Sequence, residues 1–228
     1  MLEKFKNHVS LDKFFQDCRN YKVDKQTYDI SYPEFLKYFS DIKTITKHNL
    51  VIGINFTYGW MPTIFDFRSG NFDEAIEILN NAKKGLVLSV TQLESLKGLF
   101  NNSLVGTTKL LHFINPVKFA IWDSRVYYYL TGELAYNHRI GNCESYLSFL
   151  TFCDFLTQQN EYEKLHNSIC EKLDCKMTKF RSVELIMYLN GGKSKENRFN
   201  YTSNLGLRVL SEDEIIESIY KINNKNEG

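Results

Sequence analysis

Apolar residues recur at three- and four-residue intervals along most of the chain, which is the spacing of helices with one buried face. In SVTQLESLKGLF, for example, Val90, Leu93, Leu96 and Phe100 fall on a single helical face. The same periodicity predicts helices in seven further segments: SLDKFFQDC, SYPEFLKYFSDI, NFDEAIEILNNAKKG, CESYLSFLTFCDFL, EYEKLHNSICEKL, TKFRSVELIMYLNGG and SEDEIIESIYKI. Together these patterns predict an all-α protein.

Polar residues and glycines mark where several of these helices begin and end. Gly85 and Gly191 follow two of the periodic segments as glycine stop signals. A serine followed three residues later by glutamate or glutamine has the spacing of a capping box. This spacing opens three segments: Ser31 with Glu34, Ser89 with Gln92 and Ser211 with Glu214.

One stretch, IGINFTY, breaks the helical pattern. Its apolar residues alternate at Ile52, Ile54, Phe56 and Tyr58. Alternation is typical of a half-buried strand, so the pattern predicts a short strand here, although the surrounding helical segments offer it no obvious partner.

The composition is that of a folded globular protein. Of 228 residues, 43% are hydrophobic and 14% are aromatic, which is enough to bury a sizeable core. We expect one domain over residues 1–228, with two helical lobes as the alternative. The formal net charge is only +1, so any site for a polyanion must be local.

Common motifs for other chemistries are missing from the sequence. GGKS at Gly191–Ser194 lacks the first glycine of a P-loop, and the five histidines form no zinc-binding pattern. The five cysteines form no C-x-x-C pair, and the N-terminal segment has no secretory signal, so we expect reduced thiols, no metal and a cytoplasmic location. No run of eighteen apolar residues indicates a membrane span.

Two charged residues in GTTKLLHFINPVKFAIWDSRVYYYL lie near predicted helix starts. Thr107 is the predicted N-cap of one helix, which places Lys109 in its first turn. The partial positive charge of a helix N-terminus and the cost of burial both favour a neutral amine, which is a nucleophile. Asp123 is the predicted N-cap of the next helix, and backbone N–H donors are expected to keep it ionised. The pattern alone leaves open a solvated lysine and an aspartate that only caps.

The stretches SLVGTTKLLHF and FAIWDSRV resemble the helix-hairpin-helix DNA glycosylases, in particular the bacterial 8-oxoguanine DNA glycosylase fold group. The stretch YGWMPTIFDF, residues 58–67, is similar to the same group. The resemblance implies a helical glycosylase-like fold with a cleft between two lobes, and it places the hairpin and catalytic motif within residues 89–132. The four-cysteine iron–sulfur motif of the endonuclease III branch is absent, so no cofactor is expected.

The resemblance further implies a DNA glycosylase that acts on double-stranded DNA and excises a damaged or modified base, such as an 8-oxoguanine-like purine. Lys109 would attack the sugar C1′ of a flipped nucleotide, with Asp123 as its partner, and the Schiff base would permit abasic-site lyase cleavage. The candidate substrate-binding residues are Tyr58, Trp60, Trp122 and His112, with Phe65 as a further aromatic candidate. The candidate nucleic-acid-binding residues are Gly106, Thr107, Thr108 and Arg125.

Charge near this motif is locally basic, with Lys97, Lys109, Lys118 and Arg125 against Asp123 between residues 97 and 130. A phosphate backbone would dock here, and a monomer is expected. Two other readings stay open. The first is a nucleic-acid-binding or interaction module that keeps the fold without catalysis. The second is a glycosylase that acts on RNA or a nucleoside in a bacterial antiviral system.

Overall fold

Twelve α-helices lie within residues 1–22, 31–59 and 71–192, which are the residues that the computed structural model describes. In chain order they are α1 (Leu2–His8), α2 (Leu11–Asn20), α3 (Ser31–Asp41), α4 (Lys47–Gly59), α5 (Phe72–Lys83), α6 (Val90–Gly98), α7 (Leu104–Ile114), α8 (Ser124–Thr131), α9 (Asn137–Ile140), α10 (Cys143–Thr157), α11 (Tyr162–Leu173) and α12 (Lys179–Asn190). No strand occurs in these three ranges, so the all-α prediction is confirmed. The predicted helix SEDEIIESIYKI lies outside the described residues.

Several predicted helix ends are confirmed. Ser89 caps α6 in a full capping box with Gln92. Gly85 follows α5 as the predicted stop signal, with a φ of +85°, a backbone conformation that glycine adopts readily. Gly191 ends α12 as predicted. The local rules of capping therefore place these helices correctly.

The predicted strand IGINFTY is wrong, because the segment forms most of α4. Its buried residues include Leu50, Ile54, Thr57 and Tyr58, a set with the spacing of a helix face. The alternating apolar residues Ile52 and Phe56 are only partly buried. With no neighbouring strand in the described chain to accept its backbone hydrogen bonds, the segment satisfies them within a helix.

Gly53 lets α4 pack closely against α3 and α7. A Cβ built at this position would lie 2.6 Å from Cζ of Phe39 and 2.7 Å from Cδ1 of Leu110. Both neighbours are buried in the core, so they have little room to move.

We expect Gly53→Ala to lower the free energy of unfolding by about 1 kcal/mol, since overpacking outweighs the gain in helix propensity. The matched control is Gly98→Ala in α6, where a Cβ would meet nothing within 4 Å. Chemical denaturation of both variants tests the expectation. An equal gain in stability for both would show that α4 does not pack this closely.

A single core runs through residues Met1–Gly192, which form one compact unit. Trp122 is fully buried in this core, and the ring centroids of Trp122 and Phe149 are 5.1 Å apart. The Trp122 indole N–H donates to the backbone carbonyl of Ile140 at 2.9 Å. None of the described helices has the length and apolarity needed to span a bilayer.

A tight turn, Leu99–Ser103, joins α6 to α7, and we call it the hairpin. Asn101 and Asn102 have φ angles of +51° and +61°. Asparagine tolerates this left-handed region better than other non-glycine residues, so the two asparagines reverse the chain without glycine. The Asn102 N–H donates to the carbonyl of Lys97 at 3.1 Å, which fixes the turn against the end of α6.

Candidate active site

Lys109 lies in the second turn of α7 rather than in its first. The N-cap is Ser103, whose hydroxyl accepts from the Gly106 N–H, so the helix begins one turn earlier than predicted from Thr107. The helix dipole acts mainly within the first turn and therefore has little influence on Lys109. Burial is instead the largest cause that lowers the pKa of the Lys109 amine, opposed by the nearby carboxylates of Asp123 and Glu184.

Asp123 caps α8 as predicted. Its Oδ1 accepts from the N–H groups of Arg125 and Val126, each at 2.9 Å. The helix ends at Gly132, which has a left-handed φ of +67°. Burial raises the pKa of Asp123 above its ordinary value, and the backbone donors and Lys109 only partly oppose this. Asp123 is consequently a stronger proton acceptor than an ordinary aspartate.

A backbone-to-side-chain hydrogen bond brings the two residues together. The Trp122 N–H donates to Oγ1 of Thr108 in α7 at 3.1 Å. Lys109 and Asp123 directly follow these two residues in the chain, and both are partly exposed to solvent. Each acts electrostatically on the other, although Lys109 forms no direct ion pair within the described part of the chain. The amine is therefore near a carboxylate and not bound to it.

A buried ion pair on α12, missed from the sequence, completes the group of charges. Arg181 and Glu184 pair directly, and their side chains are 17% and 2% exposed. Burial raises the pKa of Glu184 to about 7, and the charge of Arg181 opposes this. Both residues act electrostatically on Lys109, in opposite directions. The sequence did offer a signal for this pair, because Arg181 and Glu184 are two charged residues within the largely apolar run FRSVELIMYL.

Arg181 also connects to α7 through two aromatic rings. Its guanidinium lies over the ring of Tyr32, 4.9 Å from the centroid. The Tyr32 hydroxyl lies 2.7 Å from Nε2 of His112, whose Nδ1 lies 2.7 Å from the carbonyl oxygen of Phe119. A carbonyl only accepts, so Nδ1 carries the proton and Nε2 accepts from Tyr32.

His112 and Trp122 are core residues, and the prediction that they contact substrate is wrong for both. Both side chains are 0% exposed. Burial lowers the pKa of His112 to about 3, so the ring is neutral, and both of its nitrogens are already engaged. Tyr58 is also buried and stacks on Phe100, with ring centroids 5.9 Å apart. These aromatic side chains are therefore buried in the described structure rather than open to a substrate.

Two of the candidate aromatic residues cannot be placed. Trp60 and Phe65 lie outside the described residues, as does most of the stretch YGWMPTIFDF. Their predicted contacts with substrate stay predictions.

The predicted hairpin residues Gly106, Thr107 and Thr108 lie inside α7 and are buried, so the prediction that they contact nucleic acid is wrong. The sequence prediction placed the turn too late, because two consecutive left-handed asparagines were not expected. The exposed residues of the turn are Asn101 and Asn102.

A cleft of about 700 Å³ lies between the hairpin and the N-terminus of α8. Its lining residues include Asn101, Ser103, Ser124 and His138. Lys109 and Asp123 do not line it, but Ser124 directly follows Asp123. The cleft therefore lies beside the charged group rather than on it.

Arg125 lies in the first turn of α8 and is partly exposed. Its guanidinium lies over the ring of Tyr188 on α12, 4.5 Å from the centroid. The backbone of the two helices is close here, because a Cβ at Gly191 would lie 2.1 Å from the Arg125 carbonyl oxygen. The packing of α8 on α12 fixes the position of the Asp123 cap.

Comparison of the chain with known protein families, with curated proteins and with solved structures found no match. Among the described residues, no group of three or more side chains is arranged to hold a metal ion.

Proposed function

We propose that the chain is a DNA glycosylase of the helix-hairpin-helix type, in which Lys109 attacks the sugar of a flipped nucleotide. The observation that carries the proposal is the hydrogen bond from the Trp122 N–H to Thr108 Oγ1, because it brings the next residues, Lys109 and Asp123, together. Resemblance of the surrounding sequence to this family is the second support. The glycosylase-like arrangement of lobes is part of the proposal.

Lys109 is suited to nucleophilic attack because burial lowers the pKa of its amine. The neutral amine attacks C1′ as the N-glycosidic bond breaks and the base leaves. Loss of a proton from the new secondary ammonium, followed by opening of the sugar ring, gives a Schiff base. That intermediate permits elimination of the 3′ phosphate, which is the abasic-site lyase reaction.

Asp123 assists in two ways. Its carboxylate stabilises the positive charge that develops on the sugar. The secondary ammonium formed by the attack must also lose a proton. Because burial raises the pKa of Asp123, its carboxylate accepts this proton more readily than an ordinary aspartate would. The two N–H donors at the start of α8 hold the carboxylate in place for both roles.

The hairpin and the start of α8 are the proposed DNA-docking surface. The asparagines of the hairpin are exposed, and the cleft of about 700 Å³ separates the hairpin from Ser124. The N-terminus of α7, where Leu104 and Val105 line this cleft, favours phosphate groups. With a formal net charge of +1, binding should depend on salt less steeply than in a strongly basic protein.

Release of a free base from oligonucleotide duplexes tests the proposed function. Duplexes that contain one 8-oxoguanine, one uracil or no modification are incubated with the protein, and the released bases are identified by mass spectrometry. We expect release from at least one modified duplex. Parallel reactions with single-stranded DNA, RNA and free nucleosides distinguish the other glycosylase substrates. Binding of duplex DNA without release from any substrate would favour a binding module.

The charge of Glu184 should affect the pH dependence of the reaction. Ionised Glu184 raises the pKa of Lys109, so Glu184→Gln favours the neutral amine. Wild-type Glu184 is ionised mainly above its pKa of about 7. We expect the variant to release base about two- to tenfold faster in the range just above this pH. At lower pH, where wild-type Glu184 is protonated, the two rates should converge.

The control for this shift removes both charges of the pair. Arg181 lowers the pKa of Lys109, so Arg181→Met combined with Glu184→Gln should return the pH–rate profile close to that of the wild type. The double variant also avoids an unpaired buried arginine, which destabilises proteins strongly. A folded single variant whose profile matches the wild type would show that Glu184 does not act on Lys109.

A further inference from the structure

Cys170 and His166 form a pair on one face of α11. They are four residues apart, and the Cys170 Sγ lies 3.8 Å from Nε2 of His166. Both side chains are partly exposed. A thiol becomes reactive as its thiolate, so a neighbouring base is the feature that raises its reactivity.

The hydrogen bonds behind His166 present its basic nitrogen to the thiol. The Ser182 hydroxyl donates its single proton to the Lys179 carbonyl oxygen at 2.9 Å. With its proton placed there, the Ser182 oxygen accepts from the Tyr162 hydroxyl at 2.7 Å and from Nδ1 of His166 at 2.8 Å. With the proton on Nδ1, the lone pair of Nε2 faces Cys170. Burial also lowers the pKa of His166, with Glu163 opposing this and Lys179 adding to it, so the ring stays neutral and is free to take up a proton.

A second cysteine lies across the end of the same helix. Asp174 has a left-handed φ of +48°, its N–H bonds to the Glu171 carbonyl, and the Cys175 N–H donates to the Cys170 carbonyl at 3.1 Å. These two bonds form a Schellman motif, in which the side chains at the positions of Cys170 and Cys175 commonly touch. The backbone bond keeps the two residues adjacent, as a disulfide between them requires, although the Cys175 thiol itself donates to the Lys176 carbonyl at 3.7 Å. Cys175 is exposed.

We propose that Cys170 and Cys175 form a peroxide-reactive dithiol, in which Cys170 is attacked first and Cys175 resolves the product. His166 takes the proton of Cys170, and the thiolate attacks one oxygen of hydrogen peroxide. The O–O bond breaks, hydroxide leaves and takes up a proton as water, and Cys170 becomes a sulfenic acid. The Cys175 sulfur then attacks the Cys170 sulfur, which forms the S–S bond and releases a second water.

The other three cysteines are internal controls. Cys18, Cys143 and Cys153 are buried, and burial raises the pKa of each thiol. A buried protonated thiol reacts slowly with peroxide. Oxidation should therefore be confined to α11 and the turn that follows it.

Peptide mass mapping of the full-length reduced protein tests the proposal. After brief treatment with hydrogen peroxide, remaining thiols are alkylated under denaturing conditions. We expect a Cys170–Cys175 cross-link, with the three buried cysteines alkylated. In Cys175→Ser, dimedone should trap a sulfenic acid on Cys170. The proposal would be overturned if peroxide modified Cys175 before Cys170, or if the buried cysteines were modified at the same rate as Cys170.

The role of His166 is tested by the rate of cross-linking. His166→Gln should slow the reaction about tenfold, because the base is lost. Lys164→Gln is the matched control, since it changes an exposed charge on the same helix and should leave the rate within about twofold of the wild type. Far-ultraviolet circular dichroism establishes that both variants are folded. An unchanged rate in folded His166→Gln would contradict the assignment of His166 as the base.

Discussion

Lys109→Gln is expected to lower the single-turnover rate of base release by at least about a thousandfold. Glutamine matches much of the length of lysine, but its amide cannot form a bond to C1′. Rates measured with saturating protein separate this chemical step from DNA binding. Lys109 makes no direct ion pair within the described chain, and a neutral glutamine avoids the cost of burying its charge, so the substitution should change stability little.

The matched control for Lys109→Gln is Lys84→Gln. Lys84 is exposed at the end of α5 and lies outside the proposed site, so its loss should leave the rate unchanged. Base release by Lys109→Gln at the wild-type rate would remove this lysine from the mechanism. Release that is slowed less than about tenfold would indicate a water nucleophile that the lysine only assists.

Asp123→Asn is expected to slow base release by about a hundredfold to a thousandfold. The amide keeps the shape of the side chain but neither carries the negative charge nor accepts the proton of the amine. Asparagine still caps a helix, and its neutrality relieves the cost of burying a charge. The free energy of unfolding should therefore change by about 1 kcal/mol or less.

Comparing two substitutions of Asp123 separates its catalytic role from its capping role. Asp123→Ala loses the cap as well as the charge, so it should lower the free energy of unfolding by about 1 kcal/mol more than Asp123→Asn. Both variants should be similarly slow in base release. Near-wild-type activity in Asp123→Asn, with reduced stability in Asp123→Ala, would leave Asp123 as a structural cap only.

Local sequence rules predicted most of the helices because caps and stop signals act over a few residues. Ser89 with Gln92 and the Asp123 cap are correct for this reason. The start of α7 was misplaced because Ser103 and Thr107 are both good caps. The choice between them depends on Asn101 and Asn102, which both adopt left-handed backbone conformations. No short sequence pattern predicts two such residues in a row.

The error at IGINFTY has a tertiary cause. Alternation of Ile52, Ile54 and Phe56 fits a strand, but a strand requires a partner for its backbone groups. Burial of Ile54 and the close approach at Gly53 come from packing on α3 and α7. That packing is invisible in the segment itself.

The charges of the site were only partly predictable for the same reason. The sequence identified Lys109 and Asp123, but it gave the helix dipole the leading role, whereas burial is the largest cause for both residues. Arg181 lies more than fifty residues beyond Asp123 in the chain, so its position near Lys109 depends on how α12 packs. Burial of His112 and Trp122 likewise follows from the assembled core.

The most direct test of the account is to map the residue that borohydride links to DNA. The protein is incubated with a duplex that contains a modified base or an abasic site, sodium borohydride is added, and the adduct is digested for peptide mass mapping. We predict a reduced adduct on Lys109 that is absent from Lys109→Gln. An adduct on another lysine, or base release without any trapped adduct, would contradict the claim that Lys109 is the nucleophile.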